Sequence, residues 1–130
     1  MSDTSPSKRI KQSVAVLVRD GGSILTVRRP DNDDELAGIW GLPAGTYGPG
    51  ETLELLVERI GRDKLGVDLR PLKVLARGSQ NRANYCLEMA LVEAAMVGIP
   101  HQGEWRWALP GVLKEGQGRG SLCCDLALGL

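Results

Sequence analysis

Phenylalanine is absent from the 130 residues, histidine occurs once and cysteine three times. A core without Phe must be filled by Leu, Val, Ile, Ala and the three tryptophans. Cys86, Cys123 and Cys124 are too few and too unevenly spaced for a disulfide framework or a tetrahedral zinc site. A reduced cytoplasmic setting is the expectation. No excess of one charge exists either: sixteen basic and sixteen acidic residues cancel. That removes a global field for a nucleic-acid polymer or an anionic membrane, so phosphate recognition has to be local. No apolar run approaches the length that crosses a bilayer, and the polar start MSDTSPSKRIKQ lacks the apolar region of a leader. What is plentiful is glycine, with seventeen, which points to many tight turns.

Residues 1–12 read as a flexible arm and residues 13–130 as a single domain. VAVLVRD (Val14 to Asp20) and SILTVRR (Ser23 to Arg29) are β-branched runs around Gly21-Gly22, which predicts a hairpin. PDNDDELAGIW, with four acids in five positions, reads as a solvated loop, and GLPAGTYGPGE as a loop dominated by its backbone. From Glu51 to about Leu65 the period becomes 3.6, with Leu53, Leu56, Val57 and Ile60 on one stripe, so an amphipathic helix is predicted. Gly66 is its expected stop, with Arg62 and Lys64 in the last turn. Gly61 inside it is a conflict, costing about 1 kcal/mol relative to Ala. PLKVLARG and NYCLEMALVEA read as strands, EWRWALPGVL as a strand or turn stopped by Pro110, and SLCCDLALGL as a closing helix. The order implies an α/β (α+β) sandwich, a mixed sheet covered on both faces.

The stretch from Trp40 to Val67 carries the chemistry. Gly45 is followed by five residues and Glu51, then by seven residues and Arg59, and Gly66-Val67 closes the pattern. This spacing resembles the Nudix box, Gly-x5-Glu-x7-Arg-Glu-U-x-Glu-Glu-x-Gly-U with U aliphatic. Trp40 to Gly45 is similar to the segment that leads into the box in that family, and Arg28-Arg29 and Glu104-Trp105 also fall where members have similar residues. The resemblance implies a Nudix-type α/β/α sandwich. It further implies hydrolysis of a diphosphate linkage in a nucleotide or nucleotide-like compound, with Mg²⁺ or Mn²⁺ on helix carboxylates. A hard cation needs such oxygen ligands, and i, i+3, i+4 spacing sets three on one helix face.

At those three positions stand Ile60, Asp63 and Lys64. One carboxylate remains, and an ammonium roughly 5 Å from a divalent ion would repel it by about 6 kcal/mol at an effective dielectric near 20. The metal site, Gly45 with Asp63, is therefore expected to be weak, and glutamates restored at 60 and 64 are predicted to raise divalent affinity. Two readings of the substitutions remain open. Ile60 extends the apolar stripe while Lys64 pairs with Asp63 or Glu51 and the site is dead; or Lys64 meets a phosphate directly. A metal recruited differently, through Glu51, Glu54, Glu58, Asp63 or Glu104, is a third.

By resemblance, Glu51, Arg59 and Asp63 are the catalytic candidates, with Arg59 pairing to Glu51, while Gly45, Lys64, Arg28 and Tyr47 are the substrate-binding candidates. Trp40, Trp105 and Trp107 could stack on a base but more commonly pack the core or its rim. His101 reads as a turn residue, and the cysteines as small buried hydrophobes. The first expectation is a divergent hydrolase, and the alternative a non-catalytic module binding a phosphorylated ligand. The partner is a phosphate-containing small molecule, without membrane or nucleic-acid polymer. Exposed Leu or Trp patches could support a homodimer.

Overall fold

The computed structural model describes residues 9–130. The chain runs β1 (Arg9–Leu17), β2 (Arg19–Asp20), β3 (Ser23–Arg28), β4 (Trp40–Gly41), β5 (Ala44–Thr46), α1 (Leu53–Ile60), a π turn (Gly61–Leu65), β6 (Asp68–Asn81), β7 (Tyr85–Val97), β8 (Trp105–Ala108), a 3₁₀ turn (Pro110–Leu113), α2 (Lys114–Gly118) and α3 (Leu122–Leu128). The α+β sandwich read from the sequence is present. Residues 1–8 of the expected arm lie outside the described residues, whereas Arg9–Gln12 belong to β1. Their polar sequence lacks a strand pattern, but β7 runs parallel beside them, with Arg9 opposite Tyr85 and Gln12 opposite Glu88, and satisfies their backbone.

One sheet has the order β5-β1-β7-β6, parallel only between β1 and β7. In the other, β3 takes β2 and β4 as antiparallel partners and also pairs with β8. Strand alternation sends β1 side chains to two cores. Val14 and Val16 join Leu56, Val57, Ile60 and Leu69 beneath α1, with Trp105 and Trp107 packed against them. Ala15 and Leu17 join Leu91, Leu113 and Cys124 beneath α3. Burying each large aliphatic chain contributes about 1.5–3 kcal/mol, so branched aliphatics replace the missing Phe.

Thr52 caps α1, its hydroxyl accepting from the Leu55 N–H at 3.2 Å. The Gly61 conflict is resolved by packing: an added Cβ would lie 2.7 Å from Leu69 Cγ and 2.8 Å from the Val67 carbonyl. The same Gly61 carbonyl accepts from the Gly66 and Val67 N–H groups, closing the π turn. Gly66 ends it in the left-handed region at φ 73°, as the sequence predicts. The imidazole of His101 packs on Gly66, and the His101 backbone N–H donates to the Leu65 carbonyl at 2.9 Å. Pro110 starts a 3₁₀ turn rather than stopping one, because a missing N–H is harmless at a first helical position. α2 was hidden by its glycines.

Candidate functional site: a cationic cleft beside the box loop

Glu51 and Arg59 meet through two hydrogen bonds, Nε to Oε2 and Nη2 to Oε1, both 2.8 Å. Arg59 also donates to the Thr46 carbonyl at 2.7 Å, and the Gly48 N–H donates to Glu51 Oε1 at 2.8 Å. One ion pair thereby ties the glycine-rich loop at Thr46 and Gly48, its end at Glu51 and the last turn of α1. The Arg59 hydrogen bonds, followed by that of Gly48, hold the Glu51 carboxyl at a pKa of about 2, against 4.5 ordinarily. The pairing expected between these residues is present.

The three positions after Arg59 diverge. Ile60 is 1% exposed, part of the core under α1, and its side chain packs against Gly45, where an added Cβ would lie 3.0 Å from Ile60 Cγ1. Asp63 is exposed, with its carboxylate 3.6 Å from Arg62 Nε. Lys64 lines the cleft. The expectation that 60, 63 and 64 project together into the pocket is corrected: of the three, Lys64 alone lines the cleft, while Ile60 is committed to the core and Asp63 is exposed away from the wall. Pairing of Lys64 with Asp63 or Glu51 is also corrected: among the described residues Lys64 has no ion pair.

Among the described residues no three His, Cys, Asp or Glu side chains converge into a ready-made divalent-ion cage, and Asp63 is the one carboxylate at the three box positions.

The cleft has a volume of about 610 Å³ and lies on the α3 side of the β5-β1-β7-β6 sheet, between β1, β7, the segment from Arg28 to Thr46 and the start of α3. Gly45, Arg28, Arg59 and Lys64 are the sequence candidates on its wall. Tyr47 is not: it packs against the core under α1 and lines a separate hollow with Gln12, Arg77 and Glu88. Glu51 acts on the wall only through Arg59. No tryptophan lines the cleft; Trp40 receives the Arg106 guanidinium 4.1 Å from its ring centre.

Lys11, Arg29, Asp33, Glu35, Arg82, Tyr85 and Cys123 also line it, all overlooked as site residues. The acidic run is the solvated loop expected, with Asp31, Asp34 and Glu35 exposed, and three of its carboxylates also reach cleft arginines. Asp31 meets Arg28 at 2.6 Å, Asp33 meets Arg29 at 3.3 Å, and Glu35 meets Arg82 at 2.7 Å. Glu35 also accepts from the Tyr85 hydroxyl at 2.8 Å, and burial and this carboxylate raise the Tyr85 pKa. Asp33 accepts from the Leu36 and Glu35 N–H groups, and these bonds, with Arg29, lower its pKa against the effect of burial. The one legible signal was the acidic run itself, facing Arg28-Arg29 in the same stretch of chain. Cys123 is a half-buried thiol, and hydrogen bonds from Cys124 and Ser121 favour its thiolate and leave Cys124 as the protonated partner.

No family profile matches the sequence, and no curated protein matches it. Solved structures do match the fold. The Escherichia coli ORF135 protein superposes with a TM-score of 0.78 at 19% identity, over 97% of this chain and 95% of that one. A Nudix hydrolase from Nitrosomonas europaea gives 0.77 at 16% identity, over 93% and 87%. A MutT protein from Methanosarcina mazei Go1 gives 0.74 at 23% identity, over 85% of each. With the box spacing and the cleft in place, the chain therefore has the Nudix fold.

Proposed function

We propose that the cleft binds a phosphorylated, nucleotide-like small molecule whose phosphate charge is met by protein cations rather than by a metal on the box helix. The observation that carries this reading is the charge of the wall: six cationic side chains against three carboxylates, with Lys64 uncompensated among the described residues and on the wall with Gly45. A lysine there acts on phosphate as a mobile point charge, and arginines add planar donors. Leu42, Ala44, Leu87 and Met89 supply an apolar wall for the rest of the molecule, the usual composition of small-molecule sites. Glu51 and Arg59 serve by holding the loop in shape. Three free thiols among the described residues suit a reducing cytoplasm, and no described helix is long and apolar enough to cross a membrane.

A second reading, hydrolysis of a diphosphate linkage, is favoured by the intact box loop and by Glu104, an exposed carboxylate on the cleft wall 3.5 Å from Arg28. One experiment addresses both. A panel of nucleoside mono- and diphosphates is added with EDTA, Mg²⁺ or Mn²⁺, reading thermal stability and product release together. The binding reading expects stabilisation in EDTA, about 2.7 kcal/mol at a hundredfold excess over Kd, and no turnover. Turnover with either metal supports the hydrolase, and absence of stabilisation without metal overturns cation-based binding.

A further inference from the structure

The cationic wall divides by partner. Arg28 carries Asp31 at 2.6 Å and Glu104 at 3.5 Å; Arg29 carries Asp33, Arg59 carries Glu51 and Arg82 carries Glu35. Each arginine therefore enters the cleft with a carboxylate on it. The two lysines do not: among the described residues neither Lys11 nor Lys64 has a carboxylate oxygen within 4.0 Å.

The lysines stand in different groups. Lys64 belongs with the box, next to Gly103, whose added Cβ would lie 3.2 Å from the Lys64 carbonyl, and Glu104 follows Gly103 onto Arg28. Lys11, on β1, holds its ammonium 5.2 Å from the centre of the Tyr85 ring. That ring is itself fixed through its hydroxyl on Glu35, which Arg82 also holds. The contact with the ring face positions the ammonium without neutralising it. Both groups line one cleft together with the apolar side chains Leu42, Ala44, Leu87 and Met89, and the cleft volume suits a molecule of mononucleotide size.

We propose that the ligand carries two separated phosphate groups, one received by Lys64 at the box and the other by Lys11 over Tyr85, as in a nucleoside 3′,5′-bisphosphate. This rests on the reading of the cleft as a phosphate site and adds to it the second anchor. A diphosphate concentrates its charge on neighbouring phosphorus atoms and leaves Lys11 unused. Two phosphates on opposite sides of a sugar engage both lysines while the base and sugar lie along Leu42, Ala44, Leu87 and Met89.

Calorimetry on the full chain in EDTA at low salt, with AMP, ADP and adenosine 3′,5′-bisphosphate, tests it. The bisphosphate is expected to bind about tenfold more tightly than ADP. Lys11→Gln is expected to erase that advantage, weakening the bisphosphate about tenfold relative to AMP and ADP, and Lys64→Gln to weaken all three. Thermal melts of both variants establish that they fold. If AMP and ADP bind with dependence on Lys64 but the bisphosphate is no tighter, or keeps its advantage in Lys11→Gln, the second anchor is overturned and the phosphate cleft stands. If none of the three binds, both fall together.

Discussion

Reversing the charge of Lys64 isolates the one charged box residue that lines the cleft without a carboxylate partner among the described residues. Lys64→Glu changes the local charge by two units. Lys64 is exposed, so the water limit of Coulomb's law applies: about 1 kcal/mol for a unit pair at 4 Å, hence about 2 kcal/mol per unit of ligand charge for the reversal. At 1.4 kcal/mol per factor of ten this is about 30-fold weaker binding per unit of ligand charge, and Lys64→Gln should give about half that free energy, near fivefold per unit of charge. Titration calorimetry in EDTA at 50 mM and 500 mM salt measures both. The difference should shrink at high salt, where the Debye length falls to a few ångströms. Stability should barely move, because no contact is lost. Affinities within twofold of wild type, or equal losses for Gln and Glu, would refute an electrostatic role for this residue.

Three further outcomes follow from the packing. Gly61→Ala gains up to about 1 kcal/mol of helix propensity but must displace Leu69 and the Val67 backbone, at about 1–3 kcal/mol, so thermal melts should show a net loss of stability. Ile60→Glu with Lys64→Glu, predicted from the box pattern to restore divalent binding, instead puts a carboxylate at a core position 1% exposed; calorimetry should show no gain in Mg²⁺ affinity, and denaturant melts a loss of about 3–5 kcal/mol. Glu51 has its pKa lowered from 4.5 to about 2, so its contribution is complete above pH 4.5 and is lost as pH falls toward 2. The stability gap between wild type and Glu51→Gln should therefore close across that window, as acid melts would read.

Local pattern sufficed where a residue's role depends on its own neighbours in sequence. The apolar stripe through Leu56, Val57 and Ile60, the stop at Gly66 and the fixed spacing from Glu51 to Arg59 were all legible, because helix periodicity and capping are local rules. What escaped depends on long-range register. Lys11 and Tyr85 are 74 positions apart and meet only because β1 runs parallel to β7, and no single-chain periodicity encodes that pairing. Tyr47 was misplaced for a similar reason: its loop adjoins the cleft, but its side chain falls on the α1 side of the sheet. The facing of Asp63 escaped because it hangs on a π turn, which α-helical spacing cannot anticipate.

The same π turn separates two properties that the box spacing joins on paper. Spacing is kept by structure: Arg59 must reach Glu51 and the Thr46 carbonyl, Ile60 must fill the space against Gly45, and Gly61 must admit Leu69. None of these contacts involves a metal, and each would hold the pattern in place after its carboxylates were gone. With Ile60 committed to the core, of the three box positions those within the turn can still change the charge of the cleft, and there the chain has a lysine on its wall. A box of this kind keeps its geometry through packing and one ion pair, while the sign of the charge it offers a ligand is set independently at residue 64. That independence is why altering Lys64 should change binding without changing the fold, and why altering Ile60 should do the reverse.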